Sequence, residues 1–409
     1  MEKISTEELD QLLMAMIQSA EGISDCLFVV GKPPQVEIHG KLKPFELKPT
    51  ESVLTSQRIE CLAGAIINSN PRLVQDMADR GSCDCSYSLA NFCRFRVNIY
   101  RQNGNHAIVL RRLQSLIPTM ESLKLAPAFR EIIKETTGLI FVTGATGSGK
   151  TTTLAAMLNE INQNNEAHIV TLEDPIEFLH PHLKATFSQR ELGSDFYTFP
   201  DGMRAALRQA PKVILVGEIR DRDTMEIALT AGETGHAVYS TLHTISAAQT
   251  IQRILGMFTK DEEQQVRERL AGTLRYIVSQ RLVLKKDGGR LLITELMGSS
   301  LRTREAIAQG ESENRRLSDI IEGGNTYGWH SFEQSLTKAY EDDLITGETA
   351  MLSCVNKTQM HQRIDAINNR RATTPLSHSL KMKNEAQAPK PPPPPPRPPA
   401  LPATVKKAE

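Results

Sequence analysis

Apolar residues recur at helical spacing from Glu7 to Ala20 (Leu9, Leu12, Leu13, Met16, Ile17), which predicts a helix there. Gln57 to Asn68 predicts a second helix. Cys26 to Val30 reads as a short strand closed by the turn Gly31-Lys32-Pro33-Pro34. Phe92 to Tyr100 and Ala107 to Leu113 alternate like paired strands, and Asn103-Gly104 between them is a hairpin signal. Residues 1–115 thus read as a mixed α/β unit and residues 116–127 as a linker. From residue 128 to 370 the pattern changes. Short β-branched runs (Leu139–Thr143, Ile169–Leu172, Val213–Val216, Ala237–Ser240) alternate with helical stretches. That alternation predicts a mostly parallel sheet covered by helices. The part from Thr259 on reads as mainly helical. Residues 371–409 turn to proline, with an unbroken run from Pro391 to Pro396. Such a segment favours polyproline II and predicts an extended, disordered tail. A solvated tail is the preferred reading over a PxxP-type ligand, and the sequence names no partner for it.

Composition adds limits to this outline. A length of 409 residues suits two domains and a tail, and 40% hydrophobic residues suffice for their cores. Lys plus Arg equals Asp plus Glu, 48 each, so no global excess points to nucleic acid as a partner. The start, Met1 to Asp10, lacks the basic and apolar regions of a signal peptide. The longest apolar runs are strand-length and do not span a membrane. A reducing cytoplasm is therefore expected, with the six cysteines as free thiols. Cys83-Asp84-Cys85 with Cys93 lacks paired C-x₂-C spacing and a fourth ligand, so buried thiols are expected there rather than zinc.

The chemistry concentrates in the second domain. Gly144-Ala145-Thr146-Gly147-Ser148-Gly149-Lys150-Thr151 fits G-x-x-x-x-G-K-[ST], with a strand before it and a helix-forming stretch (Leu154-Ala-Ala-Met-Leu) after it, and Thr152 is counted with the loop as nucleotide-binding. The glycines let backbone N–H groups surround phosphates, and the helix N-terminus adds partial positive charge. Lys150 would neutralise β/γ-phosphate charge and the Thr151 hydroxyl would ligate Mg²⁺, so ATP and Mg²⁺ are the expected ligands. Glu218 follows the apolar run Val213–Val216. An acid at such a strand end is placed to hold Mg²⁺ through water. Glu173, Asp174 and Glu177 follow another strand. A general base or water-positioning group is expected among them, and spacing leaves Glu173 and Glu177 both standing. His236 and His243 flank the run Ala237–Ser240, as a phosphate sensor would. An arginine for the transferred phosphoryl group has many candidates, including Arg96, Arg101, Arg111, Arg112, Arg190, Arg204, Arg208 and Arg220.

The ordered set GATGSGKTTTLAAMLN, TLEDPIEF, VILVGEIRD and TAGETGHAVYSTLHT resembles the secretion-superfamily ATPases, and within them the type IV pilus retraction motors. The resemblance covers roughly residues 5 to 355. It implies Glu177 as the catalytic glutamate, Glu218 as the Walker-B acid, and His236 and His243 as the His-box residues. It also implies Arg96 and Arg111, in FRVNIYRQ and IVLRR, as functional arginines of the first domain. The implied fold is a PAS-like α+β domain followed by a RecA-like P-loop domain. The implied machine is a cytoplasmic homohexamer at the inner face of the inner membrane, acting on the pilus platform protein to withdraw pilin. Departures are visible. Leu301-Arg-Thr-Arg-Glu-Ala-Ile-Ala-Gln stands where retraction motors often carry A-I-R-N-L-I, which leaves a principal motor and an accessory one beside a second motor both open. Lys212 precedes the Walker-B strand where an acid is common, and Cys26-Leu27 replaces Leu-His. The alternatives are a pilus assembly or type II secretion ATPase, whose paired C-x₂-C zinc element this chain lacks after residue 93, and a non-motor nucleotide-binding regulator.

Overall fold

The computed structural model describes residues 4–46, 53–89, 92–113 and 116–373. Among these, the first domain is an antiparallel sheet with three helices. Its elements are α1 (Thr6–Gln18), β1 (Ile23–Phe28), β2 (Gln35–Ile38), β3 (Lys41–Pro44), α2 (Ser56–Ile67), α3 (Pro71–Arg80), β4 (Ser82–Leu89), β5 (Cys93–Gln102) and β6 (Asn105–Arg112). The strand order is β3-β2-β1-β6-β5-β4. Helix α1 starts where Ser5 and Glu8 form a reciprocal capping box, and it buries Leu9, Leu13, Met16 and Ile17, four of the five residues whose spacing announced it. The expected hairpin is β5–β6, with Asn103 and Gly104 both at positive φ in its turn.

The second domain continues with α4 (Phe129–Ile132), β7 (Gly138–Thr143), α5 (Lys150–Asn164), β8 (His168–Glu173), β9 (Thr186–Glu191), α6 (Phe199–Ala206), β10 (Val213–Val216), α7 (Arg222–Glu233), β11 (Ala237–Leu242), α8 (Ala247–Leu255), α9 (Glu263–Thr273), β12 (Leu274–Leu284), β13 (Arg290–Gly298), α10 (Leu301–Gln309), α11 (Leu317–Glu322), α12 (Phe332–Glu341), α13 (Gly347–Ser353) and α14 (Lys357–Thr373). Its sheet has the order β13-β12-β7-β11-β10-β8-β9. All neighbours run parallel except the β12–β13 pair. Every residue of β7, β10 and β11 is buried, as strands covered on both faces require.

Three expectations are amended. The stretch after Thr259 is mainly helical, as expected, but it also holds β12 and β13, a long hairpin at the sheet edge that the pattern did not announce. Polar residues disguise β12. Ser279 and Gln280 are buried in it, and each has a partner: the Thr143 hydroxyl donates to Ser279 Oγ (3.0 Å) and Gln280 Nε2 donates to Thr153 Oγ1 (2.8 Å). The segment 116–127 is not a free spacer, since Met120 sits in the core of the second domain and Leu123, Leu125 and Ala126 pack against it. The last helix passes residue 370 and ends at Thr373, with the Arg371 guanidinium donating to the carbonyls of Tyr340 and Glu341. The proline run lies outside the described residues.

The helices α12 to α14 pack on the β12–β13 hairpin through their own cluster, including Val283, Ile293, Phe332, Leu336 and Met360. The hairpin thereby joins this helical part to the sheet. Phe141, on β7 and 1% exposed, lies in the main cluster. Phe141→Ala should destabilise the second domain by about 3–5 kcal/mol. The check is its thermal midpoint, followed by near-UV circular dichroism. An unchanged midpoint would show that the β7 core is not what holds this domain.

Candidate functional site

The parallel strands all end on one edge of the sheet, and the site is built there. Strand β7 runs into the loop Gly144–Gly149, and α5 begins at Lys150. Gly144 must be glycine, because a Cβ there would come within 2.5 Å of Ser148 Oγ and 2.6 Å of the Gln280 carbonyl. Gly149, at φ +90°, caps α5 without any side-chain hydrogen bond, so the first N–H groups of the helix stay available to a ligand. The Lys150 ammonium donates to the carbonyls of Gly144 (2.9 Å) and Ala145 (3.2 Å). Burial lowers its pKa, and the nearby Glu218 and Glu177 oppose that shift. Ser148 Oγ is buried and has no partner. An anionic ligand fits this loop: it would accept from the free helix N–H groups and the orphaned hydroxyl, and would draw Lys150 off its own backbone.

Acids face the loop from two neighbouring strands. Gly217 follows β10 and is held on both sides: its N–H donates to the Leu172 carbonyl (2.8 Å), and its carbonyl accepts from the Thr241 hydroxyl (2.6 Å). That fixes the direction of Glu218. One carboxylate oxygen of Glu218 accepts from Arg220 Nε at 2.8 Å, and the other lies 3.5 Å from His243 Nε2. Glu173 and Glu177 separate clearly. Glu173 is buried at the end of β8, accepts from the Thr171 hydroxyl (2.6 Å) and Gln189 Nε2 (3.2 Å), and burial pushes its pKa up to about 7. Glu177 is half-buried, and both acids border the open cleft with Lys150.

The cleft has a volume of about 1210 Å³. Lys150, Glu177, Glu218 and His243 line it from the second domain, and Arg96 lines it from the first. Of the residues named from sequence, Thr146 to Thr152 border it. Two do not. His236 stands before β11 and His243 after it, so the strand separates them by ~20 Å at 3.3 Å per residue. His236 Nδ1 instead lies 3.1 Å from the Ala231 carbonyl. Within one chain the histidines therefore do not form a pair. Arg111 is the cross-strand neighbour of Arg96, but its Nε donates to Asp25 Oδ1 (3.0 Å), whose residue is 6% exposed, so it is held beside the cleft and not in its wall.

Several lining residues escaped the sequence reading. Gly289, Arg290 and Leu292 come from the unforeseen hairpin, and Pro118 and Leu123 from the supposed linker. The turn signal Asp287-Gly288-Gly289 could have revealed the hairpin. His180 lines the cleft three positions beyond Glu177. Its ring stacks on Phe187 at 4.4 Å, and burial pulls its pKa down to about 4, so it stays neutral. A second, more open cleft of about 480 Å³ surrounds Arg269 at the other end of the sheet. Its guanidinium is already shared between Glu226 and Glu233, so no charge is left waiting for a ligand.

Residues 85–288 match the family model described as type II/IV secretion system protein. The type IV pilus retractation ATPase PilT of Pseudomonas aeruginosa is 36% identical over 342 residues, covering 84% of this chain and 97% of that one. The type IV pilus ATPase PilU of the same organism is 35% identical over 345 residues, covering 84% and 88%. The crystal structure of the pilus retraction motor PilT with bound ADP superposes with a TM-score of 0.78 at 37% identity, covering 88% of this chain and all of that one. With the loop, the strand-end acids and the two-domain cleft already in place, this chain belongs to the type IV pilus retraction ATPases of the secretion-ATPase superfamily.

Proposed function

We propose that the chain is the subunit of a hexameric motor that hydrolyses ATP to withdraw type IV pili. The observation that carries this reading is the single cleft in which Lys150, Glu177, Glu218 and His243 meet Arg96 of the other domain. A nucleotide held there touches both domains, so a change in its phosphates alters how the domains sit. The antiparallel strand order β2-β1-β6-β5-β4 supports reading the first domain as PAS-like. No described helix is long and apolar enough to cross a membrane. That fits a ring working from the cytoplasmic side against a membrane platform protein, as the family resemblance implies. The unusual segment at α10 suits an accessory motor beside a second one.

The roles follow from position. Residues Gly144 to Thr152 hold the triphosphate, chiefly through backbone N–H groups and Lys150. Mg²⁺, when bound, would neutralise charge between the β- and γ-phosphates, with the Thr151 hydroxyl and a water on Glu218 as its contacts. Glu177 is the general base: both acids border the cleft, but Glu177 is only half-buried, whereas Glu173 is buried and already bonded to Thr171 and Gln189. Burial raises the Glu173 pKa to about 7, so below that pH it is mostly protonated and spares Glu177 a second negative charge beside it. His243 reports on the phosphate end through Glu218. Arg96 supplies positive charge from the first domain. His236 and Arg111 are read as structural within the chain.

Three measurements test these roles. Lys150→Ala should lose nucleotide binding in a fluorescent-nucleotide titration, whereas Glu177→Gln and Glu218→Ala should keep it and lose turnover by roughly 10²–10⁴-fold. Wild-type turnover in either acid variant removes that residue from the mechanism. For Glu173, a carboxyl raised from 4.5 to about 7 binds more protons folded than unfolded between those values. Stability from this group is therefore full below about pH 4.5 and is lost as pH rises through about 7. Glu173→Gln should raise the melting temperature of the nucleotide-free protein relative to wild type at pH 8 and not at pH 5. An equal difference at both pH values would contradict a neutral Glu173.

In the host cell, deleting the gene should leave abundant surface pili with twitching reduced or lost, and complementation with Glu177→Gln should fail to restore it. Bald cells would instead identify an assembly motor.

A further inference from the structure

Glu191 closes β9 and is 5% exposed, yet it lines no part of the nucleotide cleft. Its carboxylate has donors from two directions. From the first domain, Ser86 Oγ donates to Oε1 at 2.6 Å and Arg94 Nη2 donates to Oε2 at 2.5 Å. The Arg94 guanidinium also donates to Ser86 Oγ at 2.7 Å, closing a three-membered network. From the second domain, the Ile176 N–H donates to Oε2 at 3.2 Å. Ile176 is the residue immediately before Glu177.

The same strand grips the rest of that loop. The Leu192 N–H donates to the Glu173 carbonyl at 2.8 Å. Gln189 accepts from the His180 N–H (2.8 Å) and donates to the Phe178 carbonyl (2.8 Å). On the other side of the interface, Arg94 and Arg96 are two apart on β5 and so share a face of its sheet. One reaches Glu191 and the other lines the cleft. A second contact lies beside the first. A Cβ at Gly193 would fall 2.1–2.5 Å from the Arg72 guanidinium, so that guanidinium lies flat on bare backbone.

We infer that Glu191 is a positioning residue: it pins the Glu177-bearing loop to the first domain, so that the loop holds its place only while Ser86 and Arg94 are docked. A buried carboxylate that loses its cationic partner is strongly destabilised where it stands. If the domains part, Glu191 keeps only the Ile176 N–H and must move or hydrate, and Ile176 moves with it. Docking of the first domain would thereby set the direction of Glu177. The inference rests on the reading of Glu177 as the base.

The test uses the full-length protein with Arg94→Ala and Arg94→Lys. Arg94→Ala should lower kcat about tenfold, within the ~10²-fold that a small misplacement of a reacting group can cost, and should leave KM for ATP within about twofold. Peptide-resolved amide exchange should quicken across 174–180 and stay unchanged at 213–216 and in the phosphate loop. Arg94→Lys, which keeps the charge, should restore most of kcat. A wild-type kcat in Arg94→Ala overturns the inference. So does a lowered kcat with unchanged exchange at 174–180, and so does faster exchange spread over the whole second domain. Glu177→Gln, assayed alongside, separates the two readings. Full turnover there removes Glu177 as base, while exchange in Arg94→Ala still decides whether the pin exists.

Discussion

Strand β7 is buried at every residue, and its chain must leave the sheet at an edge that offers no further strand to bond with. That constraint organises the site. Parallel strands end together, so carbonyls, helix N–H groups and strand-end side chains all arrive at one edge with unfilled hydrogen-bonding capacity. The loop fills part of that need itself, with Lys150 bonded to the carbonyls of Gly144 and Ala145. The remainder stays open, in Ser148 Oγ and the uncapped start of α5. A site assembled this way holds charge without collapsing, because the sheet behind it is rigid and the polar groups are fixed by backbone. Glu218 shows the same logic. Its direction comes from Gly217, held by Leu172 on one neighbouring strand and Thr241 on the other.

Burial then separates groups that are chemically identical. Glu173 and Glu177 are four residues apart in one acidic stretch, and nothing in their spacing tells which would act. Both border the cleft, but the backbone carries Glu173 into the sheet layer, where two donors and little water surround it, and leaves Glu177 half-buried and open to the cleft. The histidines separate by a different rule. Both flank β11, but a strand has two ends, and only the C-terminal one reaches the nucleotide edge. His243 therefore approaches Glu218 while His236 closes the turn after α7.

The parts legible in the sequence are those whose reasons are local. Eight consecutive residues state the phosphate loop, and α1 is announced by its own apolar stripe. The β5–β6 hairpin is announced by Asn103-Gly104. Illegible parts depend on partners far away in the chain. Strand β12 carries Ser279 and Gln280 in a buried run, which reads as a broken pattern until each is seen bonded to a threonine, Thr143 or Thr153. Arg111 looks as free as Arg96 until Asp25 is placed across the sheet. The motif resemblance supplied Glu177 over Glu173, and the burial of Glu173 supplies a physical reason for that choice.

The cleft lies between two domains with separate hydrophobic clusters, and that arrangement bears on how chemistry and movement are joined. Separate cores can shift against each other without unpacking either. A site that drew all its groups from one core would turn over without registering such a shift. Here Arg96 reaches the cleft wall from β5, and Arg94, two residues earlier, reaches the strand that grips the Glu177 loop. One rigid strand thus touches both the nucleotide pocket and the support of its base. On the roles proposed for Arg96 and Glu177, movement of that strand away from the second domain would withdraw positive charge from the phosphates and loosen the base together. Hydrolysis in a docked state followed by release in a parted one would require these two changes to coincide, and with both arginines on a single strand they would coincide mechanically.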